Sequence, residues 1–338
     1  MKVLFVCSGN SKFYRIAPFI KSQGDSLAEE GVDITYFSVM GRGAKNYLKN
    51  VGRLRKFIKE HDFDLIHAHY SFCGWVAVLA MSGLPIILSI MGDDAIGTPK
   101  GVGKLTLRSR AMKFLSWSVQ PFVSAIISKS PNLEATVYRR KVSYLIPNGV
   151  RMDQFSFNPD GYRAELGLDK NKRYVLFMGN PSDPNKNFQL VKSAMEYVNH
   201  PNVELLAPYP VSHDSVVKYL NSVDVFTLCS FSEGSPNIVK EAMTCNRPMV
   251  VTNVGDTEWL LGDMEGCHLG DFDPKDFGQK IEKALVFAET EGLTKGRERI
   301  MELQLDAPTI SHKLIDLYSK VSKKSHLSPR RSSTMSTK

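Results

Sequence analysis

The chain opens with Lys2-Val3-Leu4-Phe5-Val6-Cys7-Ser8-Gly9-Asn10, and its second half opens with Tyr174-Val175-Leu176-Phe177-Met178-Gly179-Asn180-Pro181. Each stretch is a short apolar run that ends in or just before a Gly-Asn pair. A buried strand followed at once by a tight loop is expected for the first strand of a doubly wound α/β domain. Because the pattern occurs twice, the sequence predicts two such domains.

Apolar runs of similar length recur along both halves and alternate with helical stretches. They cover residues 33–39, 64–68, 85–90, 123–128 and 142–147 in the first half, and 203–206, 223–228, 248–252 and 267–269 in the second. Alternation of strand and helix predicts parallel sheets with covering helices, as in Rossmann-like domains. Ligands of such sheets bind beyond the carboxyl ends of the strands. Two domains of this kind that face each other would therefore form a cleft.

The length of 338 residues is sufficient for two domains of ordinary size. We predict a first domain at residues 1–155 and a second at 156–307. A helix at 308–322 is expected to pack near the domain junction, and a basic, disordered tail would follow at 323–338. The polar stretch 151–172 would connect the two domains.

The composition, with 43% hydrophobic and 23% charged residues, is that of a globular protein. The net charge of +8 is unevenly distributed, because no acidic residue follows Asp316. The basic residues beyond it are Lys320, Lys323, Lys324, Arg330, Arg331 and Lys338. Such tails are usually solvated, although some contact anionic lipid or nucleic acid. We expect solvation, with an anionic membrane surface as the alternative and no nucleic acid as partner.

The five cysteines indicate a reducing compartment. Their number is odd, none forms a Cys-x-x-Cys pair, and most lie in apolar runs, which favours reduced, buried thiols. The apolar run 3–7 is too short for a signal peptide. The apolar stretch 75–91 is divided by Ser82-Gly83-Leu84-Pro85 into a helix and a strand. We therefore expect a cytoplasmic protein, either free or attached to the inner face of the cytoplasmic membrane.

A candidate phosphate site follows the strand predicted at 223–228. The segment reads Ser230-Phe231-Ser232-Glu233-Gly234-Ser235-Pro236-Asn237-Ile238-Val239-Lys240-Glu241-Ala242. A helix can begin inside it, with Ser235 as N-cap and Pro236 at the first helical position. Free backbone N–H groups at 235–238, together with the positive end of the helix dipole, would bind an anion, above all a phosphate.

Two glutamates flank this phosphate site. Glu233 lies in the loop beside it, and Glu241 lies one helical turn after Asn237 on the same face. The simplest interpretation is a pair of solvated charges. Carboxylates beside a phosphate site also suit a ligand with hydroxyl groups on both sides of its phosphates. A nucleotide-sugar, which consists of sugar, diphosphate and ribose, is such a ligand.

Residues 230–242 resemble the E-x7-E motif of retaining glycosyltransferases with the two-domain GT-B fold, specifically family 4, and residues 246–256 are similar to the strand and loop that follow it there. The resemblance implies two Rossmann-like domains facing a cleft, with the acceptor mainly on the first and a nucleotide-sugar, here a UDP-sugar, mainly on the second. It implies a hexosyltransferase that needs no metal or cofactor. The acceptor would be a hydroxyl of a glycan or a lipid-linked saccharide in the synthesis of a bacterial surface polysaccharide.

By the same resemblance, the loop after the first strand of the second domain supplies two cations to the diphosphate. Lys186 matches one of them, whereas Asn180 stands where relatives have an arginine. The loop that contains Tyr209 and Val211 lies where relatives hold the nucleotide base, and the alternative is a plain loop. The residues expected to bind the donor are Gly9, Asn180, Lys186, Tyr209, Val211, Glu233, Gly234, Ser235, Pro236, Asn237, Ile238 and Glu241.

The segment Ser89-Ile90-Met91-Gly92-Asp93-Asp94 resembles the Ser-x-His-Gly-x-Asp element of the family. Asp94 matches the aspartate, and Met91 replaces the histidine, which contacts the donor sugar in many relatives. Asp93 and Asp94 would bind acceptor hydroxyls or take the acceptor's proton, and the alternative is a turn with an Asx cap. The expected catalytic residues are Glu233, Asp94, Asp93 and Lys186.

His67-Ala68-His69 resembles the family's Asp-x-x-His-Ala-His, which faces the cleft. Both rings would lie on one face of the strand, because alternate strand positions share a face. Structural packing is expected for His67, and no metal site, since further ligands are missing nearby. The expected acceptor-side residues are Asn10, His69 and Asp93. Ile146-Pro147-Asn148-Gly149-Val150 resembles a family signature near the domain junction and is interpreted as a structural turn.

Residues 104–119 place Leu107, Ala111, Phe114 and Leu115 at helical spacing among basic residues. They form either an ordinary domain helix or a helix that presses on anionic lipid. The Asp-Phe-Asp sequences at 62–64 and 271–273 imitate the metal-binding pair of the other glycosyltransferase fold, but their positions make them incidental.

Two other functions stay open at this point. A nucleotide-sugar epimerase of the GT-B fold would need acid and base residues at the sugar. A non-catalytic subunit that binds a nucleotide-sugar would explain the replaced histidine and arginine.

Overall fold

Two parallel β-sheets organise the chain, one in each half. The computed structural model describes residues 1–11, 13–41, 43–97 and 107–327. The first sheet consists of β1 (Lys2–Ser8), β2 (Asp33–Val39), β3 (Leu65–His69), β4 (Ile86–Ser89), β5 (Ala125–Ser128) and β6 (Ser143–Leu145). The second consists of β7 (Arg173–Phe177), β8 (Val203–Leu206), β9 (Val225–Leu228), β10 (Met249–Thr252) and β11 (Cys267–Gly270). The predicted pair of doubly wound α/β domains is confirmed.

Helices connect the strands and cover the sheets. In the first half they are α1 (Pro18–Glu29), α2 (Ala44–Lys59), α3 (Ser71–Ala80), α4 (Leu107–Val119) and α5 (Pro131–Glu134). The second half contains α6 (Phe188–Ala194), α7 (His213–Leu220), α8 (Asn237–Thr244), α9 (Thr257–Leu261), α10 (Pro274–Thr290), α11 (Gly296–Glu302) and α12 (Ala307–Leu327). Short 3-10 turns occur at Gln120–Phe122, Arg140–Val142, Pro184–Lys186 and Met195–Tyr197.

The first strand shows why the apolar runs form strands. All side chains from Val3 to Cys7 are completely buried. Val3 and Phe5 pack into one hydrophobic cluster, and Leu4 and Val6 pack into another. A parallel strand that is covered on both faces is apolar at every position rather than at every second one.

The strand order determines where a ligand can bind. The order is β2-β1-β3-β4-β5-β6 in the first sheet and β11-β10-β9-β7-β8 in the second. The order reverses between β1 and β3, and again between β7 and β9. Open α/β sheets bind ligands at such switch points, outside the carboxyl ends of the strands. The loops that begin at Gly9, Tyr70, Met178 and Cys229 therefore lie where a site is expected.

Each strand of the two sheets overlaps a predicted run, and the errors lie at the ends. The run predicted at 142–147 pairs only as Ser143–Leu145, because Pro147 has no N–H to donate. The run predicted at 123–128 begins as a strand at Ala125, because the Val123 N–H closes the preceding 3-10 turn. Element type was therefore predicted better than element length.

The last helix, α12, is longer than predicted. It was expected at 308–322 and extends from Ala307 to Leu327, because the first helix-breaking residue after it is Pro329. The tail predicted from residue 323 is therefore helical at its start, and residues 328–338 lie outside the described part. Among the helices of the described ranges, α12 included, none is both long and apolar enough to span a membrane.

Although it follows the second domain, α12 packs on the first. The hydroxyl of the completely buried Tyr318 is hydrogen-bonded to Nδ1 of His67 on β3, at 2.6 Å. Two turns earlier on the helix, Ser311 Oγ lies 2.8 Å from Ser26 Oγ on α1. Helix α12 is thus packed as a part of the first domain.

The chain crosses between the domains at two adjacent places. The N–H of Val150 donates to Leu305 O at 2.9 Å, and the N–H of Ala307 donates to Val150 O at 3.0 Å. A Cβ atom at Gly149 would lie 2.8 Å from Ala307 Cα, so this close approach requires glycine. Residues 146–150 thus hold the domain junction, but no turn forms there, which corrects the expectation of a structural turn.

All five cysteines carry free thiols, and all but Cys267 are buried, as predicted.

Candidate functional site

The loops at the carboxyl ends of the two sheets meet in a cleft between the domains. A cavity of about 270 Å³ occupies part of this cleft. Residues 91–93 form its first-domain wall, and Asp183, Asn185 and residues 232–234 form the opposite wall. A second cavity, of about 800 Å³, lies on the first-domain side. Asp93 lines both, so the two spaces adjoin at this residue.

The helix after the predicted phosphate loop begins later than expected. Pro236 has an extended backbone and occupies the N-cap position, and α8 begins at Asn237. Ser235 is not the N-cap, because its hydroxyl accepts a hydrogen bond from Lys240 Nζ at 3.2 Å. The N–H groups of Asn237 and Ile238 are the first two of the helix and have no acceptor within it. The helix thus still presents free N–H groups at its N-terminus, as predicted, but it begins one residue later than predicted.

Lys186 and Glu233, both predicted site residues, are in direct contact. Lys186 Nζ donates to Glu233 Oε1 at 2.6 Å, and the two side chains are 30% and 17% exposed. Their loops are also joined, because Asn185 Nδ2 donates to Ser232 O at 2.9 Å and Phe231 N donates to Asn185 O at 2.9 Å. The predicted cation therefore lies beside the predicted carboxylate at the mouth of the cleft.

Asn180 does not replace the missing arginine. Its Oδ1 accepts a hydrogen bond from Ser182 N at 3.0 Å and forms an Asx turn. The side chain is neutral and helps to shape its own loop, so the prediction that Asn180 binds the donor is not supported by this geometry. Lys186 follows on a 3-10 turn that Asp183 caps by accepting from Asn185 N at 3.0 Å.

A buried lysine lies behind the phosphate loop and was not predicted. Lys240 is completely buried, and its Nζ donates to Asn148 O at 2.7 Å as well as to Ser235 Oγ. Burial lowers the pKa of Lys240 to about 8, and the nearby Asp256 acts in the opposite direction. This cation joins the loop to the turn at Asn148 in the first domain. A lysine among the apolar residues of α8 is the sequence signal that could have indicated it.

The second glutamate, Glu241, is mostly buried on α8. Its Oε1 lies 3.1 Å from His213 Nε2 at the start of α7. This hydrogen bond raises the pKa of His213 above its ordinary value. His213 was not predicted as a site residue, because nothing in the sequence links position 213 to position 241.

Gly255 fixes the backbone of the phosphate loop. It has φ +66°, and a Cβ atom there would lie 2.4 Å from Gly234 O and 3.1 Å from Glu233 O. Gly234 in turn packs against the first domain, where a Cβ atom would lie 2.9 Å from Leu133 Cδ1. Asn132 Nδ2 also donates to Glu233 O at 3.2 Å. Both domains therefore hold the peptide between Glu233 and Gly234.

Replacing Gly255 by alanine is expected to displace residues 233–234 and to weaken UDP binding several-fold. Gly292 provides a matched control, because it has φ +81° and a Cβ atom there would meet nothing within 4 Å. Both substitutions should cost about 1–3 kcal/mol of backbone strain. Only Gly255→Ala should also change UDP affinity, as measured by calorimetry. Equal UDP affinities for the two variants would show that Gly255 does not position the loop.

The loop at residues 207–211 contacts the first domain. The ring of Tyr209 meets that of Phe13 edge to face, at 6.0 Å between centroids, and Tyr14 OH donates to Val211 O at 3.1 Å. Tyr209 and Val211 are therefore next to the loop that follows β1.

Gly9 and Asn10, predicted at the tip of β1, have their polar groups engaged within the first domain. The N–H of Gly9 donates to Val39 O at 3.0 Å, and a Cβ atom at Gly9 would lie 2.6 Å from Met40 Sδ. The Gly9 amide is thus not free for a donor phosphate, which corrects that expectation. Asn10 Oδ1 accepts from Gly41 N at 2.7 Å, while its side chain lines the larger cavity.

Asp94 has a structural role, which corrects its prediction as a catalytic residue. It is completely buried, and its carboxylate accepts hydrogen bonds from Ser71 N and Oγ, Met91 N and Gly92 N, at 2.7–3.0 Å. Burial raises the pKa of Asp94, although these hydrogen bonds oppose the shift. The carboxylate joins the start of α3 to the loop after β4 and cannot reach the cleft. Asp93, by contrast, lines the cleft.

The two histidines of β3 have different environments. The His67 ring lies between Tyr318 OH at 2.6 Å and Ser89 Oγ at 2.7 Å, which confirms the expected packing role. The His69 ring stacks on it at 4.1 Å, and His69 Nε2 is buried with no hydrogen-bond partner in the described part of the chain. Burial lowers the pKa of His69 well below its ordinary value, so the ring is neutral.

His69 lines the larger cavity together with the polar Ser8, Asn10 and Asp93 and with Gly43. The rest of the lining is mainly apolar and aromatic: Ala17, Phe19, Ile20, Tyr47, Tyr70, Phe72, Met91, Ala111, Met112 and Leu115. This cavity suits a ligand that has both hydroxyl groups and apolar surface.

The two Asp-Phe-Asp sequences serve the fold, as expected. Asp64 Oδ2 accepts from Lys2 N at 2.7 Å, and Asp273 caps α10 by accepting from Lys275 N and Asp276 N. Elsewhere in the described ranges, no group of three or more His, Cys, Asp or Glu side chains is arranged to hold a metal ion.

Comparisons with known families cover most of the chain. Residues 8–154 match the family described as Glycosyltransferase Family 4, and residues 170–286 match the family described as Glycosyl transferases group 1. The first match lies in the half of the chain that holds the first sheet and the second in the half that holds the second sheet, with residues 155–169 between them.

Among curated proteins, the chain is 26% identical over 233 residues to a putative teichuronic acid biosynthesis glycosyltransferase, TuaC, of Bacillus subtilis, which covers 61% of this chain and 58% of TuaC. It is 26% identical over 164 residues to N,N'-diacetylbacillosaminyl-diphospho-undecaprenol alpha-1,3-N-acetylgalactosaminyltransferase of Campylobacter jejuni, with 48% of this chain and 41% of that enzyme covered. The chain thus spans about 58% and 41% of the lengths of these relatives.

Solved structures share the fold at low sequence identity. Sucrose-phosphate synthase from Thermosynechococcus elongatus superposes with a TM-score of 0.78 at 17% identity, over 96% of this chain and 99% of that one. Anabaena HepE in complex with UDP and glucose superposes with a TM-score of 0.72 at 15% identity, over 95% and 100% of the two chains.

Proposed function

We propose that this chain, which has the GT-B fold and matches models of glycosyltransferase family 4 and of glycosyl transferases group 1, transfers a sugar from a UDP-sugar to a hydroxyl of a glycan or lipid-linked saccharide, with retention at the anomeric carbon. The pathway would be the synthesis of a surface polysaccharide, at the inner face of the cytoplasmic membrane.

One observation carries this proposal. Lys186 is paired with Glu233, which lines one side of a cleft whose other side carries Asp93, and the first N–H groups of α8 follow Glu233 by four and five residues. Anion-binding groups and a carboxylate on one domain thus face a polar residue of the other. A nucleoside diphosphate sugar on the second domain would present its sugar to an acceptor on the first.

Charge on the departing diphosphate would be stabilised by three groups of the second domain. The N–H groups of Asn237 and Ile238 and the ammonium of Lys186 would contact it directly. Fixed donors of this kind stabilise charge that develops in a transition state without reorganising. Lys240 would add positive charge from behind through Ser235, which compensates in part for the neutral Asn180.

The two glutamates would bind hydroxyl groups at opposite ends of the donor. Glu233, at the cleft, would hold hydroxyls of the transferred sugar and release Lys186 toward the phosphates. Glu241, deeper on α8, would accept hydrogen bonds from the ribose diol. His213 would keep the Glu241 carboxylate oriented, since the two side chains are hydrogen-bonded.

The acceptor would occupy the cavity of about 800 Å³. Its reactive hydroxyl would lie near His69 and Asp93, and apolar parts of the acceptor would follow the aromatic lining. The neutral His69 Nε2, buried without a partner among the described residues, is suited to a hydrogen bond with a hydroxyl. With acceptor and leaving diphosphate in adjoining spaces, attack would occur on the face from which the diphosphate departs.

The relatives support the proposed substrates. The Campylobacter jejuni enzyme is named for a transfer to an undecaprenol-diphosphate-linked sugar, TuaC for teichuronic acid biosynthesis, and HepE was solved with UDP and glucose. A lipid-linked saccharide and a uridine nucleotide are therefore the first substrates to try.

The proposal is tested by a donor screen and product analysis. A ligand at 100 times its Kd stabilises a protein by about 2.7 kcal/mol, so UDP and UDP-sugars should raise Tm more than GDP or ADP. With the donor that binds best and undecaprenyl-diphosphate sugars as acceptors, NMR of the product should show the anomeric configuration of the donor. An inverted product would refute retention, and an epimerised donor without released UDP would refute transfer.

Turnover is expected to persist after exhaustive EDTA treatment. Lys186 and the N–H groups of α8 provide fixed positive groups for the diphosphate, and such groups act without a bound ion. Turnover would be measured with and without added magnesium or manganese. Activity that disappears with EDTA and returns with either ion would contradict the proposed phosphate site.

A further inference from the structure

Helix α4 exposes apolar side chains and buries polar ones. Leu107, Phe114 and Trp117 are 82%, 64% and 51% exposed, and they follow one stripe of the helix. Ser109 and Ser116, in contrast, face inward and are buried. A helix on the surface of a domain normally has the reverse pattern. Leu115, predicted on the same helix face as Leu107 and Phe114, instead lines the larger cavity.

Neighbouring segments extend the apolar stripe. The ring of Trp117 packs against Tyr138 at 4.8 Å between centroids, and Tyr138 is itself exposed. Phe122, in the 3-10 turn after α4, is 59% exposed and contacts Trp75 of α3 at 5.5 Å. Exposed aromatic side chains thus lie both at the end of α4 and on the segments beside it.

The same region is basic. Residues 95–133 contain no Asp or Glu, and they contain six Lys or Arg residues, of which Lys129 is buried away from the surface. Arg110 and Lys113 are exposed on α4 itself. We use the term α4 surface for Leu107, Arg110, Lys113, Phe114, Trp117, Phe122 and Tyr138.

The α4 surface and the larger cavity share a helix. Ala111, Met112 and Leu115, from the same turns of α4, line that cavity. Anything bound to the α4 surface would therefore lie against the apolar side of the cavity, only the thickness of one helix away.

We propose that the α4 surface docks on an anionic lipid bilayer, so that a lipid-linked acceptor passes from the bilayer into the larger cavity. Exposed Trp, Phe and Leu side chains insert at the boundary between headgroups and acyl chains, and basic residues beside them attract anionic lipids. The acceptor part of this inference rests on the proposed function, whereas the docking does not.

The test is co-sedimentation of the full-length protein with vesicles, without donor or acceptor. Wild-type protein should bind phosphatidylglycerol-rich vesicles and bind pure phosphatidylcholine vesicles much more weakly. Phe114→Ser combined with Trp117→Ser should lower the affinity at least tenfold by removing apolar insertion. Arg110→Gln combined with Lys113→Gln should lower it roughly tenfold at low salt and less at high salt, because salt screens this attraction.

Matched controls use the second domain. Trp259→Ser removes another exposed tryptophan, and Lys170→Gln combined with Lys192→Gln removes two exposed lysines. These variants, and a chain without residues 328–338, should bind vesicles like wild type. UDP affinity, which none of the substitutions should change, shows that each variant is folded.

Three outcomes would overturn the inference. If vesicle binding were lost on removal of residues 328–338 but kept in Phe114→Ser/Trp117→Ser, the binding would be assigned to the tail. Equal losses in the Trp259→Ser control would show nonspecific adhesion. The wild-type protein could also fail to bind vesicles and instead form a concentration-dependent dimer in analytical ultracentrifugation. If Trp117→Ser dissociated this dimer, the α4 surface would be assigned to a contact with a second copy of the chain. Failure of transfer with vesicle binding intact would refute only the proposed function.

Discussion

The substitution Glu233→Gln is expected to lower turnover by about 100-fold or more, the effect of losing one charge-stabilising group at a reacting centre. UDP affinity should change only a few-fold. The glutamine keeps the shape of the side chain, but it is neutral and cannot offer a charged acceptor for the hydrogen bonds that sugar hydroxyls donate. It also removes the ion pair that Glu233 Oε1 forms with Lys186 Nζ at 2.6 Å. The measurements are turnover with a saturating donor and UDP affinity by calorimetry.

Glu196→Gln is a suitable control, because Glu196 is exposed in the turn after α6. It should leave both quantities unchanged. If Glu233→Gln retained wild-type turnover, Glu233 would have no place at the transferred sugar. If it lost UDP affinity and turnover equally, Glu233 would act on the nucleotide and not on the sugar.

The second large effect is expected for Lys186→Ala, which should weaken UDP binding and turnover together. A hydrogen bond to a charged group contributes about 1.5–3 kcal/mol, or roughly 10- to 150-fold. Here one half-buried cation would perform a task that two share in relatives, since Asn180 is neutral and forms a turn. Lys186→Arg should restore part of both quantities, because it keeps the positive charge.

Lys192→Ala, on the exposed side of α6, controls for the loss of a lysine. The double variant Lys186→Ala/Glu233→Gln separates the ion pair from the ligand contacts. Effects that add would indicate that each side chain acts on the donor separately. A double variant no worse than Lys186→Ala in UDP affinity would indicate that Glu233 affects UDP only through Lys186. UDP binding within twofold of wild type in Lys186→Ala would remove Lys186 from the phosphate site.

The strands could be predicted because their signal is local. A strand buried on both faces, such as β1 or β7, is apolar throughout, and the Gly-Asn that follows marks its end. Glu233 and Lys186 could be placed in the same site only through the family resemblance, since they are 47 residues apart in the chain. The structure brings them within hydrogen-bond distance.

The roles of other site residues depend on partners that the sequence does not indicate. Asp94 was expected to be catalytic, and the Ser71 groups that bind its carboxylate lie 23 residues away. Lys240 was not singled out, because its acceptor Asn148 O lies 92 residues away in the other domain. Asp94 matched a functional motif and Lys240 matched none. In both cases the burial of the side chain and its hydrogen-bond partners determined the role.

The return of α12 to the first domain has a consequence for how the protein can be dissected and how it can move. A fragment that ends at residue 155 would lack Tyr318 and expose the buried His67 with which it is hydrogen-bonded, so the first half should not fold as an independent module. The two crossings are hydrogen-bonded to each other where Val150 meets Leu305 and Ala307. A movement of one domain against the other would therefore have to bend both segments together, and it would also strain the hydrogen bond that Lys240 Nζ donates to Asn148 O across the domains.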